Sequence, residues 1–204
     1  MLFEDTYKTI IKPAEGDFRD RGSKFLAFAY HIESEQEVKP IIDVLRNQHP
    51  KANHHCYAFR LGLDKSNHRA NDDGEPSGSA GKPILNTILS KDLTNILVVV
   101  VRYFGGTLLG VPGLINAYKS ATQIALENAE IVEKTVNDIY EIWFDFAQMN
   151  DAMKVVKEFG LKIRNQIYDN RCGIEFEVRK SLLNQVIGKL EKIEAAEIKY
   201  LKTV

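Results

Sequence analysis

The sequence predicts an α+β fold in two domains, and two observations indicate it. Apolar residues alternate between strand-like and helix-like spacing along 7–127, which is typical of a mixed domain. The pattern then restarts near Thr135 and continues as strand, helix, strand, strand, helix, strand. We therefore predict one domain at 1–133 and a second at 134–204, although no Pro/Gly-rich linker marks the boundary.

The strands of the first domain are rich in aromatic and apolar residues. They are predicted at 7–11, 23–31, 54–61 and 96–104. A charged turn at 17–22 is expected between the first two. Three helices are predicted between or after these strands, at 34–50, 83–92 and 114–127. Ser34 and Glu37 form a capping box at the first helix, and Pro83 suits the first turn of the second. Ile115, Tyr118, Ala121, Thr122 and Ala125 are predicted to face inward on the third.

The second domain has the element order of a ferredoxin-like, split βαβ plan. Its strands are predicted at 136–146, 162–168, 173–179 and 197–204, and its helices at 150–159 and 181–193. Trp143 and Phe146 are expected to fill its core. With only scattered arginines, this domain is expected to carry interactions and not chemistry.

Composition restricts the class of protein. The 204 residues carry a formal net charge of -1, which argues against nucleic-acid binding through a global basic field but allows a local basic patch. Cys56 and Cys172 follow no disulfide or metal spacing, so we predict a reduced, cytoplasmic protein. No signal peptide and no membrane-spanning apolar run is recognised, and we expect no membrane partner.

The most informative segment is the glycine-rich loop after the strand at 96–104. Gly105, Gly106, Gly110 and Gly113 lie between this strand and a helix, where backbone N–H groups can form an anion-binding concavity. Gly105 and Gly110 have the spacing of a phosphate-binding loop, but no lysine and hydroxyl residue follow them. A nucleotidase of that class is therefore not predicted, and the glycines alternatively serve only a tight turn.

A second glycine-rich segment lies upstream, at 71–83. Asp72, Asp73 and Glu75 could hold magnesium through water, although acidic residues in such a turn also act as capping groups. The GxxG spacing at 78–81, followed by Lys82, resembles a backbone clamp for nucleic acid.

His54 and Cys56 share one face of a predicted strand, since they are two residues apart. A Cys–His nucleophile pair is conceivable, but we predict that Cys56 belongs to the core. His54 is left open as a contact for the acidic loop or for a ligand.

The chain closely resembles the IMPACT family, also called the YigZ or UPF0029 family. The resemblance rests on 54–62, 72–83 and 100–106, with Leu109, Gly110, Gly113, Leu114, Ala117 and Tyr118. It implies an N-terminal fold like ribosomal protein S5 domain 2, and a C-terminal ferredoxin-like domain like that of bacterial members. The pair resembles domains IV and V of elongation factor G, which implies RNA or the ribosome as partner. The resemblance implies no enzymatic activity, since none is established for the family, and we expect no cofactor. The chain departs from the family pattern at Leu108 and Pro112, where lysine and glycine are usual.

Our first hypothesis is a non-enzymatic, translation-linked regulator that binds RNA or a ribosomal surface in a cleft between the two glycine-rich segments. Arg60, Lys82, Arg102 and Lys119 would contact phosphates, and Tyr103 or Tyr118 would stack on a base. The residues predicted to bind the ligand are His54, Arg60, Asp72, Asp73, Glu75, Ser77, Gly78, Ser79, Gly81, Lys82, Arg102, Tyr103, Gly105, Gly106, Gly110, Tyr118 and Lys119.

Two alternatives come from other functional classes. An enzyme could act on a phosphorylated or nucleotide-like small molecule, with Asp72, Asp73 or Glu75 as base or metal ligand. A protein-interaction module could instead use both glycine-rich segments only to shape a surface for a partner protein.

Overall fold

The computed structural model describes residues 5–204 and divides the chain into two compact units. The N-terminal unit is formed by residues 7–134. The C-terminal unit is formed by residues 135–204 together with Asp5 and Thr6. The backbone N–H of Val136 donates to the carbonyl of Asp5 at 2.6 Å, so the C-terminal unit includes residues from near the start of the chain.

The N-terminal half contains seven strands and three helices among the described residues. The strands are β1 (Thr6–Ile10), β2 (Ala14–Asp20), β3 (Ser23–His31), β4 (His54–Leu61), β5 (Asn67–Asn71), β6 (Ile96–Tyr103) and β7 (Ile131–Thr135). The helices are α1 (Val38–Gln48), α2 (Gly81–Ser90) and α3 (Gly110–Glu127). Five strands form an antiparallel sheet in the order β2-β3-β6-β4-β5, and β1 pairs with β7 in a separate two-stranded sheet.

Strand β6 is buried from Ile96 to Val101 because helices cover both faces of the sheet. Val98 and Val100 pack in the core that includes residues of α2 and α3, whereas Val99 and Val101 pack in the core that includes α1. Successive side chains of a strand alternate between faces, so a continuous apolar run is what a doubly covered strand requires. This placement puts α2 and α3 on the same face of the sheet.

Three sequence predictions need correction in this unit. The expected charged turn at 17–22 is mostly strand β2, since its charged residues lie on the exposed side while Ala14 and Gly16 are buried. Strand β5 was not predicted, because an exposed edge strand carries no apolar alternation. Helix α3 begins at Gly110 instead of 114, and Ile115, predicted to face inward, is 39% exposed.

The C-terminal unit has the predicted order of strands and helices. Its elements are β8 (Asn137–Phe144), α4 (Met149–Glu158), β9 (Lys162–Tyr168), β10 (Cys172–Arg179), α5 (Leu183–Leu190) and β11 (Glu197–Thr203). The strands form an antiparallel sheet in the order β11-β8-β10-β9, and both helices contribute to one core.

Two aromatic residues of this unit lie elsewhere than predicted. Phe146 is 56% exposed, in a short 3-10 turn after β8, so its assignment to the core was wrong. Trp143 is only partly buried, and its ring covers Gly173, where an added Cβ would lie 2.9 Å from the indole. Within residues 5–204, no helix has the length and apolar character needed to cross a bilayer.

Helix α3 lies very close to the sheet at Gly16. A Cβ built on this residue would lie 2.5 Å from the backbone nitrogen of Ala125 and 2.8 Å from the carbonyl oxygen of Ala121. We therefore expect Gly16→Ala to lower the free energy of unfolding by about 1–3 kcal/mol or more, because helix or strand must move. Denaturant unfolding measures this, with exposed Glu15→Ala on the same strand as the control. Equal stability of both variants would contradict the close contact.

Candidate functional site

The two glycine-rich segments meet at the buried carboxylate of Glu75. Its Oε1 accepts a hydrogen bond from Arg102 Nη1 at 2.5 Å and another from Tyr118 Oη at 2.7 Å. The imidazole Nε2 of His54 lies 4.0 Å from the same oxygen. The side chains of Glu75 and Arg102 are only 4% and 6% exposed, so a charged pair lies at the base of this site.

Sheet register explains why residues distant in sequence converge on Glu75. His54 at the start of β4 is the direct partner of Arg102 near the end of β6. Glu75 comes from the loop that joins β5 to α2, and Tyr118 comes from the buried side of α3. One carboxylate therefore joins two strands, a loop and a helix.

The hydrogen bond at the other ring nitrogen fixes the tautomer of His54. Its Nδ1 lies 2.8 Å from the carbonyl oxygen of Asp73, which can only accept, so Nδ1 carries a proton. In the neutral ring, Nε2 is then an acceptor. His54 also lines a pocket of about 430 Å³ next to the Glu75–Arg102 pair.

Residues of both glycine-rich segments line this pocket, which we call the Glu75 pocket. Glu75 and Pro76 come from the first segment, and the second supplies an apolar wall. That wall consists of Phe104, Leu108, Leu109, Gly110, Val111 and Leu114. Phe104 is 45% exposed and Leu108 is 82% exposed, so the apolar rim is open.

The amides of the first glycine-rich segment are already occupied by the chain's own carboxylate. Asp72 Oδ1 accepts hydrogen bonds from the N–H groups of Ala80 and Gly81, at 3.0 and 2.8 Å, at the start of α2. Asp72 Oδ2 accepts a third from Gly78, at 2.8 Å. The capping role left open by the sequence is therefore the one Asp72 fills, and those amides are not available to an external phosphate.

The three acidic residues of this segment do not converge on a common point. Asp73 accepts from the N–H of His55 at 2.6 Å and from Arg46 at 3.0 Å, whereas Asp72 caps α2 and Glu75 binds Arg102. Among residues 5–204, no group of three or more potential ligands is placed to hold a metal ion. The proposed magnesium site does not fit this geometry.

A second cavity, of about 680 Å³, lies between α2 and α3, and we call it the lysine groove. Lys82, Lys91 and Lys119 line it, and none of its lining residues is acidic. No hydrogen bond or ion pair joins any of these ammonium groups to the described part of the chain. Lys82 and Lys119 were predicted as phosphate contacts, and the groove brings them together; Lys91 was not predicted.

Four other predicted site residues are engaged within the protein. Arg60 binds Asp92 at 3.1 Å and does not line either cavity. Tyr103 Oη pairs with His49 Nδ1 at 2.9 Å. Tyr118 is fully buried, so its assignment to base stacking was wrong. Arg102 is bound to Glu75 and lines the Glu75 pocket and not the lysine groove.

The remaining predicted residues shape the loops. Ser79 is buried and donates to the carbonyl of Pro76 at 2.6 Å, while Ser77 is exposed. Gly105 is required by a close approach, since its Cβ would lie 1.9 Å from the carbonyl carbon of Gly22. Gly106 and Gly110 have positive φ, at 85° and 71°.

Sequence reasoning missed the apolar residues of the site, Phe104, Leu108 and Val111 among them. Their signal was present, because the glycine-rich segment after the strand carries several large apolar side chains close together, and such a cluster is a candidate binding surface.

Cys56 belongs to the core, as predicted. It is fully buried, and its Sγ lies 3.0 Å from the carbonyl oxygen of Asp72 and 3.3 Å from Tyr118 Oη. Burial raises the pKa of the thiol well above its usual value. A thiol held in its neutral form is a poor nucleophile, so the geometry does not support covalent catalysis at Cys56.

Comparison with known proteins agrees with these motifs. The family model described as the Impact N-terminal domain matches residues 21–126. The IMPACT family member YvyE of Bacillus subtilis is 31% identical over 97% of this chain and 94% of its own. This chain belongs to the IMPACT family.

Two solved structures extend the comparison of this IMPACT protein. One, described as a crystal structure of a hypothetical protein, has a TM-score of 0.72 and 26% identity, covering 98% of this chain and 99% of its own. The other is described as the two-domain translational regulator Yih1. It has a TM-score of 0.36 and 31% identity, covering 62% of this chain and 48% of its own.

The burial of both cysteines in this IMPACT protein gives a chemical prediction. Iodoacetamide at about pH 8 should leave Cys56 and Cys172 unmodified in the native protein and alkylate both after denaturation. Mass spectrometry of the intact protein measures this, with Ser77→Cys as a positive control because position 77 is exposed. Rapid native alkylation of Cys56 would restore the nucleophile hypothesis.

The Glu75–Arg102 pair gives a prediction about stability. Removing the carboxylate in Glu75→Leu should cost about 3–5 kcal/mol, because it leaves a buried guanidinium without its counter-charge. The double variant Glu75→Leu, Arg102→Met should lose about 1–3 kcal/mol less than the sum of the single variants. Denaturant unfolding of all four proteins measures the coupling.

The exposed pair Lys39–Asp43 supplies the control for that cycle, since its side chains are 85% and 49% exposed. Lys39→Ala should change stability by less than about 1 kcal/mol. Additive effects at Glu75 and Arg102 would show that the buried pair does not act as a unit.

Proposed function

We propose that this IMPACT family member is a non-enzymatic, translation-linked protein that binds RNA, with the phosphates of the strand lying along the lysine groove. The observation that carries the proposal is the convergence of Lys82, Lys91 and Lys119 on one cavity with no acidic residue in its lining. Ammonium groups without an internal partner are available to an external anion, and neutralising phosphates releases counterions from RNA.

RNA binding is compatible with the net charge of -1, because the positive charge of the lysine groove is concentrated in one place. Many acidic residues have basic partners within the protein, as Asp92 does with Lys65 and Arg60. Charges farther away than the screening length of about 8–10 Å contribute little at physiological salt. A cluster of unpaired lysines can therefore attract phosphate even though the whole chain is nearly neutral.

The proposal revises the set of phosphate contacts. Lys82 and Lys119 are retained and Lys91 is added, because all three line the groove. Arg60 and Arg102 are removed, because each already has a carboxylate partner within the protein. The contacts proposed here thus come from α2, α3 and the residue that follows α2.

The finer assignment of folds is part of this proposal. We assign the first domain, 1–133, to the ribosomal protein S5 domain 2-like fold and the second, 134–204, to the ferredoxin-like fold of elongation factor G domain V. The βαββαβ order of the C-terminal unit supports the second assignment. Because both assigned folds resemble domains of a translation factor, we prefer RNA or a ribosomal surface as the partner.

Fluorescence anisotropy of labelled single-stranded and hairpin RNA across a salt series tests the groove. We expect the affinity to fall as salt rises. Lys82→Ala and Lys119→Ala should each weaken binding and reduce the slope of log affinity against log salt by about one. Lys39→Ala removes the same charge from α1, which packs in the other core, and should leave the slope unchanged.

Two results would contradict the proposal. Absence of binding even at low salt would exclude RNA as the direct partner. Equal losses in all three lysine variants would show that binding follows the net charge and not the groove.

A further inference from the structure

The Glu75 pocket combines an apolar wall with polar atoms that the protein leaves unused. We infer that it holds a single unstacked nucleobase carrying an exocyclic amino group. This inference deepens the proposed function and rests on it, since the base would belong to the RNA strand whose phosphates lie along the lysine groove.

Phe104 provides the surface on which a base would stack. The guanidinium of Arg102 lies 5.6 Å from the centre of the Phe104 ring. Phe104 itself remains 45% exposed. A nucleobase on the open side would continue this stack. Aromatic stacking of this kind is the common way in which proteins bind unpaired bases.

The polar edge of the pocket supplies both acceptors and donors. Glu75 Oε1 is used twice, whereas no hydrogen bond among the described residues reaches Oε2. Arg102 donates through Nη1 only, and Nη2 is unused. The Nε of Arg102 is buried without a partner, which is unusual in a folded protein. In its neutral form, His54 adds an acceptor at Nε2.

Asn53 holds the stacking surface in place and adds a further donor. Its Oδ1 accepts a hydrogen bond from the backbone N–H of Phe104 at 2.9 Å. The amide nitrogen of the same side chain has no partner among residues 5–204, and Asn53 is one of the residues that line the pocket. Asparagine can both donate to and accept from base edges.

These atoms favour a base over the other possible occupants. A purely apolar side chain would cover Glu75 Oε2 and Arg102 Nη2 without satisfying either, which is unfavourable. A phosphate would lie against the Glu75 carboxylate and would be repelled. A planar ring with donors and acceptors along its edge satisfies the apolar wall and the polar base together.

The balance of acceptors selects among the bases. Glu75 Oε2 and His54 Nε2 both accept, so they suit the exocyclic amino groups of adenine, cytosine or guanine. Uracil presents two carbonyl groups and a single ring N–H. We therefore expect bases with an amino group to be preferred over uracil.

The pocket and the groove border the same two segments of the chain. Pro76 lines the pocket and Gly78 lines the groove. Leu114 and Ile115, neighbours on α3, likewise divide between the two cavities. On this basis we assign both cavities to one nucleotide strand.

The test compares short RNAs that differ only in their bases. Anisotropy is measured for labelled hexamers of adenylate, cytidylate and uridylate, and for a hexamer of the same backbone without bases. We expect the adenylate and cytidylate hexamers to bind about tenfold more tightly than the other two, which corresponds to about 1.4 kcal/mol. Folding of each variant is checked by thermal melting.

Phe104→Leu is the variant that isolates the pocket, because it removes the ring but keeps the apolar character. It should reduce the preference to less than about twofold while the salt slope stays unchanged. Phe146→Leu is the matched control, since Phe146 is also an exposed phenylalanine but lies in the C-terminal unit. Its preference should equal that of the unsubstituted protein.

The outcomes separate this inference from the proposed function. Equal binding of all four hexamers would overturn the nucleobase pocket and leave the lysine groove intact. Binding of free adenosine or cytidine monophosphate, lost in Phe104→Leu, without binding of any hexamer would support the pocket and overturn the RNA proposal. Absence of binding by hexamers and monophosphates would overturn both.

Discussion

The buried carboxylate of Glu75 is the constraint on which the site depends. It receives a guanidinium from β6 and a hydroxyl from α3, and it lies beside the imidazole at the start of β4. A buried charge without its partner is strongly destabilising, so Glu75 and Arg102 must stay in contact. This contact restricts the conformations available to the loop that carries Glu75. The position of that loop in turn fixes where the first glycine-rich segment ends and α2 begins.

Asp72 performs a related task at the start of the same loop. A concavity of backbone N–H groups at a helix N-terminus attracts an anion, and here the anion is the side chain of Asp72. The first glycine-rich segment is consequently a structural element, whose backbone N–H concavity is filled by an internal carboxylate. Among residues 5–204, the lysines of the groove belong to the side chains that have no internal acceptor, so their charges are left for an external partner.

Much of the fold was predictable because it depends on periodicity. The doubly covered strand β6 and the βαββαβ order of the C-terminal unit follow directly from apolar spacing. Strand β2 was not, because its inward side begins with the small residues Ala14 and Gly16 between charged neighbours and has a single large apolar residue, Phe18. At Gly16 the backbone of α3 comes so close that no side chain fits, and a sequence pattern of apolar side chains cannot reveal such a contact.

The candidate site shows a different limit of sequence reasoning. Conspicuous residue types identified the two loops that meet at Glu75, but they did not show which charges neutralise one another. Arg102 and Lys82 look equivalent as cations in the sequence, yet one is bound to Glu75 and the other has no described partner. That difference depends on the register of β4 against β6 and on the packing of α3, which are long-range properties of the fold.

The two cavities differ in charge, and this difference determines how each would recognise an RNA ligand. Phosphate contacts supply affinity and position a strand without regard to sequence, whereas contacts to base edges supply selectivity. The lysine groove offers chiefly the first kind of contact, because the charged residues that line it are three lysines without an acidic neighbour in the lining. The Glu75 pocket offers only the second, because its single guanidinium is already compensated by a carboxylate. A protein of nearly neutral charge can thus combine modest, salt-sensitive binding with discrimination among bases, since the two tasks fall to different residues.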